Sequence, residues 1–459
     1  MRGITEAFQR SRKEKEQVEN VKLLLNHSLL LLYVLSFVKI NIMYSKIKIF
    51  LFFLCAILLL ASKCDDKKNN SQSAPETSEK TTDTPDKKMD AEALEVGAAQ
   101  MEKYLPLLEG KQVALVVNQT SMLENTHLVD TLLQRGILIK KIFAPEHGFR
   151  GEADAGEKVK DGKDAKTGIP LISLYGKNRK PTKAHLTGID VVVFDIQDVG
   201  ARFYTYISTM SYVMEACAEY AVDFVVLDRP NPNGHYVDGP VMKNGYESFI
   251  GLHPVPVVHG MTVGEYAQMV NGEGWLKNGI KCVLKVIRNK NYDHQTFYEI
   301  PIKPSPNLPN IRSVYLYPSL CFFEGTTVSA GRGTTKQFQI YGHPDFKQGD
   351  FSFTPISRAG AKYPKFENQT CHGFDLTVLP LEEFKTIGQI NLRYLLHFYE
   401  NFEDKSNFFL ENKFFDKLAG SATLRWQIIK GRSEEEIRDS WQNDLEAFKK
   451  IRGKYLLYD

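Results

Sequence analysis

Apolar and polar positions switch between two periods along residues 112–234. "QVALVVN" (112–118) is a short unbroken apolar run of the buried-strand type. "THLVDTLLQRG" (126–136) spaces its apolar residues at helical intervals and ends on a glycine stop. "LIKKIFA" (138–144) predicts a second strand, and "LISLYG" (171–176) a third, followed by a short helix with Pro181 near its start. "IDVVVFDIQD" (189–198) is β-branched enough for another strand, and "FYTYISTMSYVMEACAEYA" (203–221) reads as a long helix. "DFVVLDRPNPNG" (223–234) gives one more strand and then a loop rich in proline and glycine. Strands alternating with helices predict an α/β domain built on a parallel sheet with helices on both faces. After about residue 310 the texture changes to glycines, threonines and aromatics. "GFDLTVLPLEEF", "INLRYLLHFYENF" and a final helix with a capping box at Ser433–Glu436 then predict a second, α+β domain.

In such sheets ligands bind beyond the carboxyl ends of the strands, where the strand-to-helix loops gather. Those loops read "NQT" (118–120), "PEHGFRG" (145–151), "DIQDVGARFYTY" (195–206) and "DRPNPNG" (228–234), whereas the opposite loops are ordinary turns. Four consecutive polar constellations on one edge argue for a site. Glu146, between Pro145 and Phe149, is the leading general acid, because a carboxyl in a partly apolar pocket can stay protonated near neutral pH. His147 could orient Glu146, bond substrate or hold the loop. Asp195 and Asp198 bracket a strand end with Gln197 beside them. Paired carboxylates near an acid suit glycoside hydrolysis, where one group protonates the leaving oxygen and another handles water, the anomeric carbon or a neighbouring acetamide. Either aspartate could instead cap the helix starting near Arg202 or Phe203.

Arg150, Arg202, Arg229 and Arg332 lie on four loops and would make an anion site if they converge. Asn118, Asp228 and Asn231 sit just past buried strands and are placed to bond sugar hydroxyls, although "DRPNPNG" is also turn chemistry. Tyr204 and Tyr206 could stack a pyranose or simply fill the core. Glu324 and Arg332 fall in "EGTTVSAGRGT" (324–334), which lacks the ending of a P-loop and the spacing of a dinucleotide fingerprint. A metal reading would recruit His147, Asp195 and Asp198, yet no HExxH or HxH spacing is present, so neither metal nor cofactor is expected.

At 459 residues, 43% of them apolar, the chain is long enough for more than one core, and a net charge of +3 makes no case for nucleic acid. Residues 43–64 read as a signal peptide: Lys46 and Lys48, an apolar run from Ile49 to Ala61, then Leu-Ala-Ser-Lys-Cys, which resembles a bacterial lipobox ending at Cys64. Lys63 departs from the usual small residue. Residues 1–42 fit badly ahead of this leader and are expected to precede a true start at Met43, the alternative being an extra transmembrane segment. Residues 65–95 read as a polar tether. An exported lipoprotein on the cell envelope is the expectation. Cys217, Cys282, Cys321 and Cys371 show no metal spacing.

Taken together, "NQT", "APEHGFRGEADAG", "FDIQDVGARFYTY", "LDRPNPNG" and "FFEGTTVSAGRGT" resemble the NamZ-type exo-β-N-acetylmuramidase family from about residue 100 onward. The resemblance implies a Rossmann-like catalytic domain (96–315), a smaller C-terminal domain (316–459) and an active-site cleft between them. It also implies release of terminal N-acetylmuramic acid from the non-reducing end of peptidoglycan fragments, without metal or nucleotide, with Glu146 matching the glutamate of the family's "EHG" motif. Muramic acid carries a lactyl carboxylate, for which Arg202 or Arg332 would be the partner, while Asp195 or Asp198 would assist water or the acetamido group. The rival readings are a lipid-anchored, non-catalytic binder of wall fragments and a metal-dependent hydrolase.

Overall fold

A computed structural model of the chain describes residues 93–146, 148–149 and 161–459. The leader with Cys64, the tether up to residue 92, His147 and Arg150 lie outside the described residues. The last residues assigned to the tether are held in the fold, Glu95 pairing with Lys290 through two backbone hydrogen bonds at 3.0 and 2.8 Å.

The α/β reading holds. Seven strands form one sheet: β1 (Gln112–Val117), β4 (Leu138–Ala144), β5 (Gly162–Lys163), β6 (Pro170–Ser173), β7 (Val191–Asp195), β8 (Asp223–Leu227) and β9 (Leu284–Ile287). A small hairpin, β2 (Met122–Leu123) with β3 (Thr126–His127), stands apart. The order is β5-β6-β4-β1-β7-β8-β9, with every pairing parallel except that of the short edge strand β5. The chain runs outward from β1 through β4 to β6, returns to the other side of β1 with β7, and continues to β9. Loops leaving β1 and β7 therefore diverge, which opens the crevice typical of such sheets.

Strand side chains alternate between two cores, as the two-residue period requires. Ala114, Val116, Phe143, Val192, Phe194, Phe224 and Val226 face one of them. There they meet α4 (Tyr206–Glu219) and α5 (Val263–Gly272). Val113, Leu115, Val117, Ile142, Val191, Val193 and Val225 face the other, against α1 (Met101–Leu108) and α2 (Leu128–Gln134). Burying one such side chain stabilises the fold by about 1.5–3 kcal/mol, so the central strands give their C-terminal ends a rigid base. A short α3 (Lys183–Leu186) with a Thr182 capping box links β6 to β7.

The second region comprises α6 (Ile311–Leu320), α7 (Leu381–Thr386), α8 (Arg393–Asn401), α9 (Phe414–Ala419), α10 (Thr423–Ile429), α11 (Glu434–Arg452) and a small antiparallel sheet. That sheet is β10 (Ile340–His343), β12 (Cys371–Asp375) and β11 (Phe351–Phe353), in that order. The Ser433–Glu436 capping box opens α11 as the sequence predicts. The last residues return to the first region, where the Tyr458 hydroxyl donates to Asp228 at 2.6 Å.

One boundary differs from the sequence reading. The strand at 189–198 ends at Asp195 and the following helix begins only at Tyr206. Residues 196–205 bury Ile196, Val199, Ala201 and Phe203 as loop. An Arg202 amide bond to the Val257 carbonyl at 2.8 Å pins that loop in place. Apolar residues there serve packing without the strand ladder their composition suggests.

Candidate active site

Leaving β4, the chain closes a turn in which the Gly148 amide donates to the Pro145 carbonyl at 3.0 Å. Gly148 has φ of 77°, a conformation that strongly favours glycine, so the "EHG" order serves the turn as well as the chemistry. The turn presents Glu146, half-buried, to the start of α4. There the Thr205 hydroxyl donates to Glu146 Oε2 at 2.7 Å and the Tyr206 hydroxyl to the Glu146 carbonyl at 3.4 Å. Phe149 is buried edge-on against His127 at 4.9 Å, which anchors the far side of the turn.

Glu146 opens into a cleft of about 430 Å³, a volume in the range of small-ligand sites. Its walls come from both regions of the chain: Tyr204, Thr205, Tyr206 and Phe249 from the first, Tyr317, Glu324, Arg332 and Lys417 from the second. Arg179 joins them from the loop after β6, its guanidinium 4.4 Å from the centre of the Phe249 ring. Ser248 Oγ and Asn307 Oδ1 also line the cleft, buried and without a hydrogen-bond partner among the described residues. Such unpaired buried acceptors and donors are rare unless a ligand or water completes them. Tyr204 and Tyr206 do line the cleft, but they pack edge to face at 4.8 Å and are only 7% and 1% exposed. Tyr204 gives its hydroxyl to the Pro304 carbonyl at 2.7 Å.

Several residues expected in the site lie beneath it instead. Asp195 is fully buried in a two-point ion pair with Arg229, Nε to Oδ1 at 2.5 Å and Nη2 to Oδ2 at 3.0 Å. Asn118 Oδ1 accepts from the Thr120 amide and hydroxyl at 2.9 and 2.6 Å, folding the turn after β1. Gln197 Nε2 donates to the carbonyls of Asp198 and Pro230 at 2.8 and 2.7 Å. Asn231 Nδ2 donates to the Met261 carbonyl, and Asp228 receives Thr262, Tyr458 and two backbone amides. These bonds tie the loops after β1, β7 and β8 together beneath the cleft, although Asn118 Nδ2 and Gln197 Oε1 are left without a hydrogen-bond partner among the described residues.

Arg202 is the largest departure. The anion-site expectation places it against the substrate, but it is fully buried away from the cleft. Nη1 donates to the Pro240 and Val255 carbonyls at 2.8 and 2.6 Å, and Nη2 to Leu418 at 2.8 Å. Burial draws its guanidinium down to about 10, still charged at neutral pH. It clamps the 240–255 loop to the end of α9, the helix that carries Lys417 and Leu418 into the cleft. Glu324 and Arg332 do reach the cleft, joined by Arg332 Nε to Glu324 Oε2 at 3.0 Å. Gly331 and Gly333 on either side of Arg332 have φ of 79° and 81°, and a Cβ at either would collide with Ile340 or Pro364.

Asp198 neither lines the cleft nor caps α4; its Oδ2 accepts from the Gly200 amide at 2.7 Å. Burial pushes its carboxyl up from 3.8 to about 7, against the backbone amides of Gly200 and Val199. The folded state then holds this proton more tightly than the unfolded chain does. That stabilisation is complete below about pH 4 and is lost as pH rises through 7. Asp198→Asn, uncharged throughout, is expected to flatten the fall in melting temperature between pH 5 and 8. Calorimetric scans with equal slopes for both proteins would remove this assignment.

Sequence reasoning missed Thr205, Arg179, Phe249, Asn307 and Lys417. Thr205 lies within the "FYTY" segment that drew attention for its tyrosines, and Arg179 follows a strand end on the same edge as the recognised loops. Lys417 gives no sequence signal, because only the return of α9 brings it to the cleft.

The fold agrees with the comparisons to known proteins. Residues 113–312 match the family described as exo-beta-N-acetylmuramidase NamZ, N-terminal, and residues 315–458 match its C-terminal counterpart. The chain belongs to the NamZ exo-β-N-acetylmuramidase family. It is 40% identical over 378 residues to the peptidoglycan beta-N-acetylmuramidase NamZ of Bacillus subtilis (strain 168), covering 77% of this chain and 89% of that one. Two crystal structures of DUF1343 family proteins from Bacteroides fragilis NCTC 9343 share the fold. One has 48% identity and a TM-score of 0.75, the other 29% and 0.69; each match covers 80% of this chain and 99% of the other.

Proposed function

We propose that this chain is an exo-β-N-acetylmuramidase, a glycoside hydrolase that releases N-acetylmuramic acid from the non-reducing end of peptidoglycan fragments, with Glu146 as the general acid. The observation that carries the assignment is Glu146 itself: a carboxyl fixed by the Thr205 hydroxyl at 2.7 Å, opening into a sugar-sized cleft walled by aromatic rings. Glu146 protonates the glycosidic oxygen as the bond to the anomeric carbon breaks. Ser248 Oγ and Asn307 Oδ1 supply unpaired polar atoms for sugar hydroxyls or the acetamide.

Muramic acid differs from N-acetylglucosamine by its lactyl carboxylate. Arg202 is spent on backbone carbonyls and Arg332 is neutralised by Glu324. Arg179 and Lys417 remain on the cleft wall, and among the described residues neither forms an ion pair, so they are the partners assigned to the lactyl group. A charge-assisted bond of this kind is worth about 1.5–3 kcal/mol. Arg179→Met combined with Lys417→Met is therefore expected to raise KM for a chromogenic muramide about tenfold or more and leave a glucosaminide unaffected. An equal loss on both substrates would take the carboxylate role from these residues. No release of muramic acid by the wild-type protein would sink the function itself.

Export and lipid anchoring at Cys64 belong to the same reading, supported by the leader's Leu-Ala-Ser-Lys-Cys ending. The anchor would hold the catalytic region at the envelope, where wall fragments are released.

A further inference from the structure

Glycoside hydrolysis on a 2-acetamido sugar needs something to stabilise positive charge at the anomeric carbon once the acid has acted. The two aspartates expected to do this, Asp195 and Asp198, do not line the cleft. Among the described residues that do, the carboxylates are Glu146 and Glu324. Glu324 stands at the end of a short 3-10 turn after α6, on the C-terminal wall. It is held from behind: Arg332 Nε donates to its Oε2 at 3.0 Å. The Lys365 ammonium lies close by, bonded to the carbonyls of Phe323, Thr326 and Val328 at 2.7–3.1 Å.

We infer that Glu324 is the second catalytic carboxylate, one that stays ionised and hydrogen-bonds the acetamido N–H of the bound sugar, so that the substrate's own acetamide serves as nucleophile. The inference rests on the muramidase reading above. Three roles are open to a second carboxylate: base toward water, nucleophile at carbon, or electrostatic partner of the acetamide. Burial alone would raise Glu324, but Arg332 and Lys365 outweigh it and hold the carboxyl below its ordinary range. A carboxylate so stabilised is a poor base and a poor nucleophile, because proton affinity and nucleophilicity fall together. It is well suited to face a cation without accepting a proton.

The steps balance. In the first, the acetamido oxygen bonds to the anomeric carbon while the carbon–oxygen bond to the leaving sugar breaks, and Glu146 gives its proton to the leaving oxygen. This leaves a cyclic oxazolinium whose N–H is held by the Glu324 carboxylate. In the second, a water oxygen bonds to the anomeric carbon and the ring carbon–oxygen bond opens. Glu146 takes the water's proton and is restored. The net change is one water consumed, with the β configuration retained.

Three measurements test this. Proton NMR of the first sugar released by the wild-type protein should give the β anomer, and an α anomer overturns the inference. A muramyl thiazoline, a stable mimic of the cyclic intermediate, should bind the wild-type protein and lose at least tenfold affinity in Glu324→Gln, a larger loss than that of free N-acetylmuramic acid, whose acetamide N–H is neutral. Unchanged thiazoline affinity overturns the inference. Should Glu324→Gln fail to fold, Glu324→Asp serves in its place, where the shorter carboxylate should keep part of the thiazoline affinity. A wild-type protein that releases no muramic acid defeats the muramidase reading; an active one that inverts defeats only the role of Glu324.

Discussion

Glu146→Gln should cut kcat/KM on a natural muramyl disaccharide by about 10²–10⁴-fold, the ordinary contribution of a positioned general acid. The replacement is isosteric, and the Thr205 hydroxyl can still donate to the side-chain oxygen at this point of the turn. The melting temperature is therefore expected to hold. The loss should also depend on the leaving group. A sugar alkoxide is a poor leaving group and needs the proton, whereas 4-nitrophenolate leaves almost unaided. The same variant assayed on 4-nitrophenyl muramide should show a much smaller defect. If both substrates lose activity equally, Glu146 is not the proton donor, and the cleft must be reinterpreted around a different group. Wild-type rates on the disaccharide would be the more severe outcome, since Glu324, the other described carboxylate on the cleft wall, is tied to Arg332.

The middle of the sheet was legible because β1, β7 and β8 are buried almost throughout and so read as unbroken apolar runs. The β4 strand at Leu138–Ala144 also coincides with its sequence reading, although Leu138 and Lys140 are exposed. The edge carrying the site was legible for a related reason, since parallel strands put all their exit loops on one side. Depth was what the sequence could not supply. Asn118, Asp195, Gln197, Asp228, Arg229 and Asn231 all lie on the correct edge, yet all are at most 4% exposed and bond chiefly to protein. A polar residue past a strand end looks the same in sequence whether it faces a ligand or braces the loop that does. Arg202 illustrates the limit: three backbone carbonyls more than thirty residues away claim its guanidinium, and nothing local announces them. Of the cationic lining, Arg179 lies on a loop of that same edge, whereas Lys417 reaches the cleft only through the C-terminal helix Phe414–Ala419.

The pairing of Asp195 with Arg229 should govern stability more than any other contact under the cleft. Both side chains are almost wholly removed from water, at 0% and 4% exposure, and they meet in the two-point geometry that best offsets desolvation. Removing one partner of such a pair costs about 3–5 kcal/mol, because the other charge is left buried and alone. The two single variants should not be equivalent. Asp195→Leu strands a guanidinium, which cannot shed its charge and keeps only a bond to the Met122 carbonyl at 3.2 Å. Arg229→Met strands a carboxylate, which can bind a proton and become neutral. Urea unfolding should therefore place Asp195→Leu below Arg229→Met. The double variant, apolar on both sides, should recover much of the loss, since the pair stabilises less by its presence than either half destabilises by its isolation. Strictly additive losses would mean the two side chains act independently. In that case the floor beneath the cleft would owe its rigidity to the apolar strands and not to this ion pair.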